Sequence, residues 1–293
     1  LKDPEGKPLT ARQIPGRGTA YAILAGVYAW IAGYGQEPEY YALGIEAAGK
    51  VIGDPNYRLV ASPEEVCTEV LPGNSEEGIF EVCYDDSRGE YKDFGSYIGG
   101  TVEKWPVLKG TTPASRRKFF IRNETVERLY TPEDLRLQAY FADFFRMKEE
   151  PVSVTQGAAY IRMWREVEYY SGGIYDGTPR TLLANDILIR LPDILLLRAE
   201  MRAATGDREG AVADLDVVRR RAGVAGYSEA EGDLRRAIQL ERDRELLFQT
   251  GVRYFDYMRN HTYNLLKGGF RDLTETDVAA GALFLPVSLD AMN

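Results

Sequence analysis

One segment near the C-terminus places two acidic side chains within the apolar face of a predicted helix. The segment is QLERDRELLFQTGVRYFDYMRN, residues 239–260, in which Glu241 and Glu245 are four residues apart. On a helix predicted over 232–248, residues at this spacing share one face. That face contains Leu234, Ile238, Glu241, Glu245 and Phe248. Burying a carboxylate costs free energy unless a cation and hydrogen-bond donors accompany it, so this helix can pack only if both glutamates are paired.

Arginines in the adjoining helices are the expected partners of these glutamates. The candidates are Arg198, Arg219, Arg221, Arg253 and Arg259. Asp256 can join the same network. We therefore interpret the carboxylates as inter-helix ion pairs and not as catalytic acids and bases. A hydrolase is the alternative, and it requires two carboxylates about 5–10 Å apart that face a shared cleft.

The composition argues against several classes of function. The net charge is −9, and no cluster of basic residues supplies the footprint that phosphate binding needs, which argues against a nucleic acid partner. No apolar run approaches the ~18–20 residues that span a bilayer. The single histidine, His261, rules out a histidine-rich metal site and is expected in a solvated loop. We expect no bound metal and no cofactor.

The two cysteines and the start of the chain bear on the compartment. Cys67 and Cys83 can pair in an oxidising setting, but the strand-like run IFEVCYD favours Cys83 as a small buried hydrophobic residue. The chain begins with Leu1 and shows no signal peptide and no lipid-attachment cysteine near its start. We expect either a cytosolic protein or a trimmed part of a longer secreted one.

Helical periodicity predicts helical pairs towards both ends of the chain. Helices over 16–32 and 39–52 form an antiparallel hairpin because the link between them is short. From residue 182 onward, apolar stripes predict two further pairs, with Gly206 ending one helix and Asp207 capping the next. Two helices joined in this way over about 34 residues form one tetratricopeptide-like unit.

The middle of the chain is different, because it is rich in glycine, tyrosine and proline. It contains one strand candidate at Gly78–Tyr84 and one helix candidate at Thr131–Lys148 with Thr131 as its cap. So long an irregular region inside a domain is usually functional or disordered. The expected fold is mainly α, with a large irregular loop region and a few short strands within a single domain over 1–293. Its parts are a helical pair at 16–53, an irregular ligand-binding region at 57–181, helical pairs at 182–260 and a tail at 261–293.

Six blocks of the sequence match the motifs of one known family in that family's order. IRLPDILLLRAEMRAATGD (189–207) resembles the helix motif R-x-A-D-x-L-L-x-x-A-E, with Arg190, Asp193 and Glu200 in place. DLDVVRRRAGV (214–224) resembles N-x-V-R-x-R-A-G, with Asp216 where the family usually has Asn. ERDRELLFQTGVRYFDYMR (241–259) resembles the signature E-R-x-x-E-L-x-F-E-G-x-R-x-x-D-L-x-R, with Gln249–Thr250–Gly251 in place of Glu-Gly. The other three blocks are GTAYAILAGVYAWIAG (18–33), NSEEGIFEV (74–82) and FLPVSLDAMN (284–293). The chain thus resembles the SusD/RagB family, the nutrient-binding lipoproteins of Bacteroidetes outer membranes.

The resemblance implies a fold and a role. The fold would be the SusD-like α-α superhelix, and the role a non-enzymatic one. Such proteins capture an oligosaccharide, or sometimes a peptide, and deliver it to a SusC-like TonB-dependent outer-membrane transporter. Their helices contact the transporter, while the irregular segments form the ligand face. Family members are longer at the N-terminus, so we expect a truncated, surface-exposed lipoprotein whose lipid anchor and first helical repeat lie outside this chain.

Two sets of residues follow as candidates. The structural ion-pair network is predicted to comprise Arg190, Asp193, Glu241, Arg242, Glu245, Arg253 and Asp256. Sugar recognition needs flat apolar surfaces with polar groups beside them, which aromatic residues in loops supply. The predicted ligand-binding residues are Tyr91, Phe94, Tyr97 and Trp105 in one loop and Tyr169, Tyr170 and Tyr175 in another, with Asp93, Lys104 and Asp176 as polar companions. For each aromatic residue, the alternative is packing of its loop against the helices.

A second function is compatible with the helical pairs. A tetratricopeptide-type scaffold would bind a protein partner and no small ligand, and it predicts an extended concave groove of helices with few exposed aromatic residues in loops. Calorimetry against a panel of glycans separates the two. Saturable heat without turnover supports capture, whereas release of reducing ends would contradict a non-enzymatic role.

The first loop gives a direct test. Replacing Trp105 by alanine removes the largest flat surface of that loop, and we expect the glycan dissociation constant to rise roughly tenfold, as measured by calorimetry. An unchanged affinity would show that the binding loop is misplaced.

Overall fold

The computed structural model describes residues 12–84, 109–112, 120–249, 252–266 and 273–283. Within these residues helices predominate and the strands are short, which confirms the predicted mainly α architecture. The helices are α1 (Arg17–Gly33), α2 (Tyr40–Ile52), α3 (Pro63–Glu65, continued by a π-helical turn at Val66–Val70), α4 (Asn123–Leu129), α5 (Leu135–Tyr140), α6 (Phe144–Glu149), α7 (Val152–Thr155), α8 (Leu191–Thr205), α9 (Arg208–Arg221), α10 (Leu234–Glu245), α11 (Val252–Arg259) and α12 (Glu275–Ala279). The strands are β1 (Gly78–Val82), β2 (Ile121–Arg122), β3 (Ala158–Ala159), β4 (Val167–Tyr169), β5 (Pro179–Leu182) and β6 (Asp186–Arg190).

The long helices stack as the predicted pairs. α1 packs on α2, α2 packs on α8, and α8 packs on both α9 and α10. The turn between α8 and α9 is the predicted one: Gly206 adopts a left-handed conformation (φ 87°), and the Asp207 side chain accepts a hydrogen bond from the Gly210 backbone N–H. Small residues such as Ala25 and Ala48 are completely buried between the first helices, which lets the backbones approach closely.

The region between the helical pairs has an apolar cluster of its own. Tyr140, Phe141 and Trp164 are buried there together with Val66 on the π-helical turn. Three antiparallel two-stranded pairings, β1 with β6, β2 with β3 and β4 with β5, connect its segments. β6 runs without a break into α8, so the β1–β6 pair ties this region to the helical stack.

The single helix predicted over 131–148 is wrong. The segment forms α5 and α6, and between them Phe141 pairs with Ile161 in an isolated β-bridge. Two backbone hydrogen bonds to the segment that follows β3 replace the helical ones: Ala142 donates to Tyr160, and Arg162 donates to Tyr140. Long-range pairing therefore overrides local helical periodicity here. The cap is Asp134 and not Thr131, because the Asp134 side chain accepts from the backbone N–H of Arg136.

The cysteine prediction needs a similar correction. Within the described residues, Cys67 and Cys83 form no disulfide. Cys67 is the buried one, and burial raises the pKa of its thiol to about 12. Cys83 follows β1 and is only partly buried.

Glu241 and Glu245 lie on α10 and are completely buried, each between arginines. The Glu241 carboxylate accepts hydrogen bonds from Arg136 Nη1 at 2.6 Å and from Arg219 Nε at 3.2 Å. The Glu245 carboxylate accepts from Arg190 Nη1 at 2.5 Å, from Arg136 Nη1 at 3.3 Å and from Arg221. Both glutamates are therefore structural ion-pair partners.

Eight buried side chains form one connected group, which we call the central charge cluster. Its members are Glu77, Asp134, Glu241 and Glu245, and Arg136, Arg190, Arg219 and Arg221. Four carboxylates thus face four guanidinium groups, so the cluster is neutral as a whole. The cluster joins the segment before β1, α5, β6, α9 and α10. Its ion pairs connect the irregular region to the helical stack.

Two of the five arginines predicted to pair with Glu241 and Glu245 do so. Arg219 and Arg221 pair with the two glutamates as predicted, but Arg198, Arg253 and Arg259 do not, because each has a nearer acid. Arg198 pairs with Asp214, Arg253 with Asp243, and Arg259 with Glu200 and Asp256. Arg136 from the irregular region takes their place.

A second chain of ion pairs crosses from α8 to α11. Arg242 donates to Asp193 Oδ1 and to Asp256 Oδ2, each at 2.6 Å. Arg259 donates to the other oxygen of Asp256 at 2.6 Å and to Glu200 Oε1 at 2.7 Å. These contacts hold α11 on the stack through its polar side.

The central charge cluster determines how acid affects stability. Burial by itself would raise the pKa of Glu245, but the charges of Arg221, Arg190 and Arg136 outweigh it and lower the pKa from 4.5 to about 2. A depressed folded-state pKa contributes stability that is complete above pH 4.5 and is lost as the pH falls towards 2.

We expect Glu245→Gln to lower the free energy of unfolding at pH 7 by about 3–5 kcal/mol, because it leaves buried arginines without a counter-charge. Denaturant unfolding measures the loss, and the same titration between pH 4.5 and 2 should show a shallower acid dependence than the wild type.

The matched control is Glu46→Gln. Glu46 pairs with Lys50 at 3.9 Å on the exposed side of α2, where such a pair contributes less than about 1 kcal/mol. Equal losses in the two variants would contradict a structural role for the cluster.

Candidate functional site

The β4–β5 hairpin presents an exposed aromatic tip. Tyr170 and Tyr175 are 43% and 60% exposed, and their ring centroids lie 5.7 Å apart with the planes tilted by 40°. Ile174 lies between them in the chain and is 91% exposed. Tyr169 ends β4 and is half-buried. Exposed side chains of this size on one turn form an apolar surface that is open to solvent.

The turn is fixed by its own hydrogen bonds. The Gly177 N–H donates to the Tyr170 carbonyl, and the Tyr170 N–H donates to the Thr178 carbonyl, both at 2.9 Å. The carboxylate of Asp176 accepts from the Gly172 N–H at 2.6 Å. Gly172, Gly173 and Gly177 have positive φ angles, which glycine adopts without strain. The tyrosine rings are thus mounted on a tethered turn, which reduces the entropy lost on binding a ligand.

The predicted binding residues divide into two groups. Tyr169, Tyr170, Tyr175 and Asp176 all belong to the hairpin. The other aromatic candidates and their polar companions, Tyr91, Phe94, Tyr97, Trp105, Asp93 and Lys104, lie outside the described residues. The sequence interpretation missed Ile174, although its position between two tyrosines in YYSGGIYDGTP marks it as part of the same turn.

One further segment reaches this turn. A Cβ atom on Gly110 would lie 2.2 Å from the Gly177 carbonyl oxygen and 3.3 Å from Pro179 Cδ, so the backbone of residues 109–112 touches the base of the turn. Only glycine fits at position 110, where φ is also positive (76°).

The residues predicted to form one ion-pair network belong to separate groups in the structure. Arg190, Glu241 and Glu245 belong to the central charge cluster, and Asp193, Arg242 and Asp256 to the chain of pairs between α8 and α11. Arg253 pairs with Asp243 at 2.9 Å outside both groups.

His261 lies at the end of α11 and is exposed, as predicted. Its ring stacks on Tyr34 with centroids 5.8 Å apart. Within the described ranges, His, Cys, Asp and Glu side chains form no group of three or more that would suit a metal ion. No helix in the described part of the chain is long and apolar enough to cross a bilayer.

Comparison with known proteins identifies the family. The model of the SusD family matches residues 76–281. No curated protein matches the chain.

Solved structures share its fold. A SusD homologue from Bacteroides thetaiotaomicron superposes with a TM-score of 0.79 at 22% identity, covering 100% of this chain and 60% of its own. A SusD superfamily protein from Bacteroides fragilis gives a TM-score of 0.65 at 15% identity, covering 96% of this chain and 63% of its own. Surface glycan-binding protein A from Bacteroides thetaiotaomicron, solved with laminarihexaose, gives 0.61 at 22% identity, covering 90% and 63%.

The chain therefore spans about 60% of the length of the SusD homologue. Because the family match covers more than half of the chain, the protein belongs to the SusD family.

Proposed function

We propose that this protein is a surface glycan-binding protein that captures an oligosaccharide without transforming it. The observation that carries the proposal is the tethered turn with Tyr170 and Tyr175 exposed on it. Exposed aromatic rings are unfavourable in water unless a partner covers them, and pyranose rings offer the flat apolar faces that fit. The complex of surface glycan-binding protein A with laminarihexaose, a protein of the same fold, supports the same ligand class.

The second aromatic loop belongs to the same proposal. Gly110 touches the base of the hairpin turn, and Trp105 precedes it by five residues. We propose that the two groups of aromatic candidates act on one extended ligand, because the segment that follows the first group in the chain contacts the turn that carries the second.

The proposal includes no catalytic step. Glu241 and Glu245, the acidic pair that first suggests a hydrolase, are completely buried and paired with arginines. Neither presents a carboxylate to a cleft, which glycoside hydrolysis would require.

Membership of the family extends the proposal to location and partner. We propose that the captured glycan is passed to a SusC-like TonB-dependent transporter at the outer membrane, and that the protein is held at the cell surface by a lipid anchor. The surface that contacts the transporter would be the helical stack, which leaves the aromatic turn free for ligand.

One observation favours the alternative, a tetratricopeptide-type scaffold for a protein partner. α1 exposes Ile23, Leu24 and Val27 on one side, and α2 exposes Leu43. Apolar side chains at such spacing on neighbouring helices suit a protein interface. A scaffold of this kind would not require the aromatic turn, so glycan binding distinguishes the two functions.

We expect Tyr170→Ala and Tyr175→Ala each to raise the dissociation constant of a bound glycan roughly three- to tenfold, because each removes one stacking ring. Calorimetry with laminarihexaose first, and then with a panel of glycans, measures the change.

Phe145→Ala is the control, because Phe145 is also about half exposed but lies on α6. If neither tyrosine variant alters the affinity of a glycan that binds the wild type, the placement of the site is wrong. Reducing ends appearing during the titration would instead rule out capture without turnover.

A further inference from the structure

A cavity of about 680 Å³ lies between the β2–α4 segment on one side and α10 and α11 on the other. None of its lining residues belongs to the β4–β5 hairpin, so it is separate from the aromatic turn. Its walls are partly apolar, with Phe120 and Leu265 each nearly half exposed. The volume is in the range that holds a small organic ligand.

The cavity has an excess of positive charge. Among the described residues, five arginines and two aspartates line it: Arg122, Arg128, Arg236, Arg242 and Arg253, with Asp243 and Asp256. Both aspartates are already paired, Asp243 with Arg253 at 2.9 Å and Asp256 with Arg242 at 2.6 Å. The three remaining guanidinium groups form no ion pair with a carboxylate of the described residues. Such an excess stands out in a chain whose net charge is −9.

The three guanidinium groups differ in how they are held. Arg236 donates to the side-chain oxygen of Gln239 at 2.9 Å, which fixes it along α10. Arg122 lies at the start of α4 with its guanidinium over the Phe120 ring at 5.9 Å, and Arg128 lies in the last turn of that helix. Both of these are exposed, so they can meet a ligand at the cavity mouth without disturbing the core.

A buried hydrogen-bond donor also lines the cavity. Gln249 is 9% exposed, and its side-chain oxygen accepts from Arg190 Nε at 2.7 Å. This contact orients the amide, and its Nε2 has no acceptor among the described residues. A buried donor without an acceptor is costly, and a ligand oxygen would relieve that cost.

We propose that this cavity binds the carboxylate group of an acidic sugar, a uronic-acid unit of an oligosaccharide. Guanidinium groups match the planar carboxylate in charge and geometry, the Gln249 amide supplies a donor for a hydroxyl or ring oxygen, and the Phe120 ring supplies a flat apolar surface. The choice of a sugar as carrier of the carboxylate rests on the proposed function. The positive charge and the unused donor do not depend on it.

The test titrates trigalacturonate, and a neutral trisaccharide with the same linkages, into the wild type and an Arg122→Gln/Arg128→Gln variant. We expect the wild type to bind the acidic trisaccharide, and the double variant to bind it at least about tenfold more weakly, since two charge-assisted contacts are lost. Raising the salt concentration should weaken binding to the wild type. Arg17→Gln is the matched control, because Arg17 is exposed at the start of α1 and does not line the cavity.

The outcomes separate the two proposals. Equal affinity of the wild type and the double variant for trigalacturonate, or no binding by either, overturns the acidic-sugar site, whatever happens at the aromatic turn. Arginine-dependent binding of tetraglutamate without binding of trigalacturonate also overturns it in favour of an acidic peptide. Neutral glycan binding that depends on Tyr170 and Tyr175 and persists in the double variant leaves capture at the turn intact. Thermal unfolding of the double variant verifies that it is folded.

Discussion

The burial of Glu245 among three arginines is the interaction on which the rest of the structure depends. Its carboxylate contacts Arg136 from α5, Arg190 from β6 and Arg221 from α9. Removing a charge from water costs several kcal/mol, which only well-placed counter-charges offset, so these segments have to meet at one point. The apolar clusters alone would tolerate small shifts between the helical stack and the irregular region, whereas the central charge cluster permits one arrangement of them.

That arrangement also positions the aromatic turn. β5 ends at Leu182, β6 begins at Asp186, and β6 in turn delivers Arg190 into the central charge cluster. The hairpin with the exposed tyrosines therefore ends eight residues before Arg190, which is anchored in the central charge cluster. A binding surface of loops gains from such a support, because the ligand then does not have to order it.

α10 has two polar faces that differ in their charge balance. The face containing Glu241 and Glu245 is closed, and its charges are cancelled by neighbouring arginines. The face containing Arg236, Leu240 and Asp243 lines a cavity with positive charge to spare. The two are linked through Gln249, which is held by Arg190 of the central charge cluster and lines the cavity. The cavity is thus lined by a hydrogen-bonded amide on one side and by the exposed Arg122 and Arg128 on another.

The amino-acid sequence by itself determined the helical pairs, the Gly206–Asp207 turn and the need to pair two glutamates. These depend on local periodicity, on glycine's left-handed conformation and on the cost of burying charge, all of which can be read over a few residues. It also marked the tyrosine-rich turn, whose glycines and aromatic residues lie close together in the chain.

Only the tertiary structure decided which arginine forms an ion pair with which acidic residue. Arg136 lies 105 positions from Glu241, and several arginines of equal chemistry compete for each carboxylate, so spacing does not distinguish them. The sequence also did not predict the break in the helical pattern near Phe141, where pairing with Ile161 overrides that pattern. Nor did it predict that α10 ends at Glu245, beyond which Phe248 takes a positive φ of 58°. The arginine-lined cavity could not be predicted from the sequence for the same reason. Its charged residues come from segments more than a hundred residues apart, and only the fold brings them together.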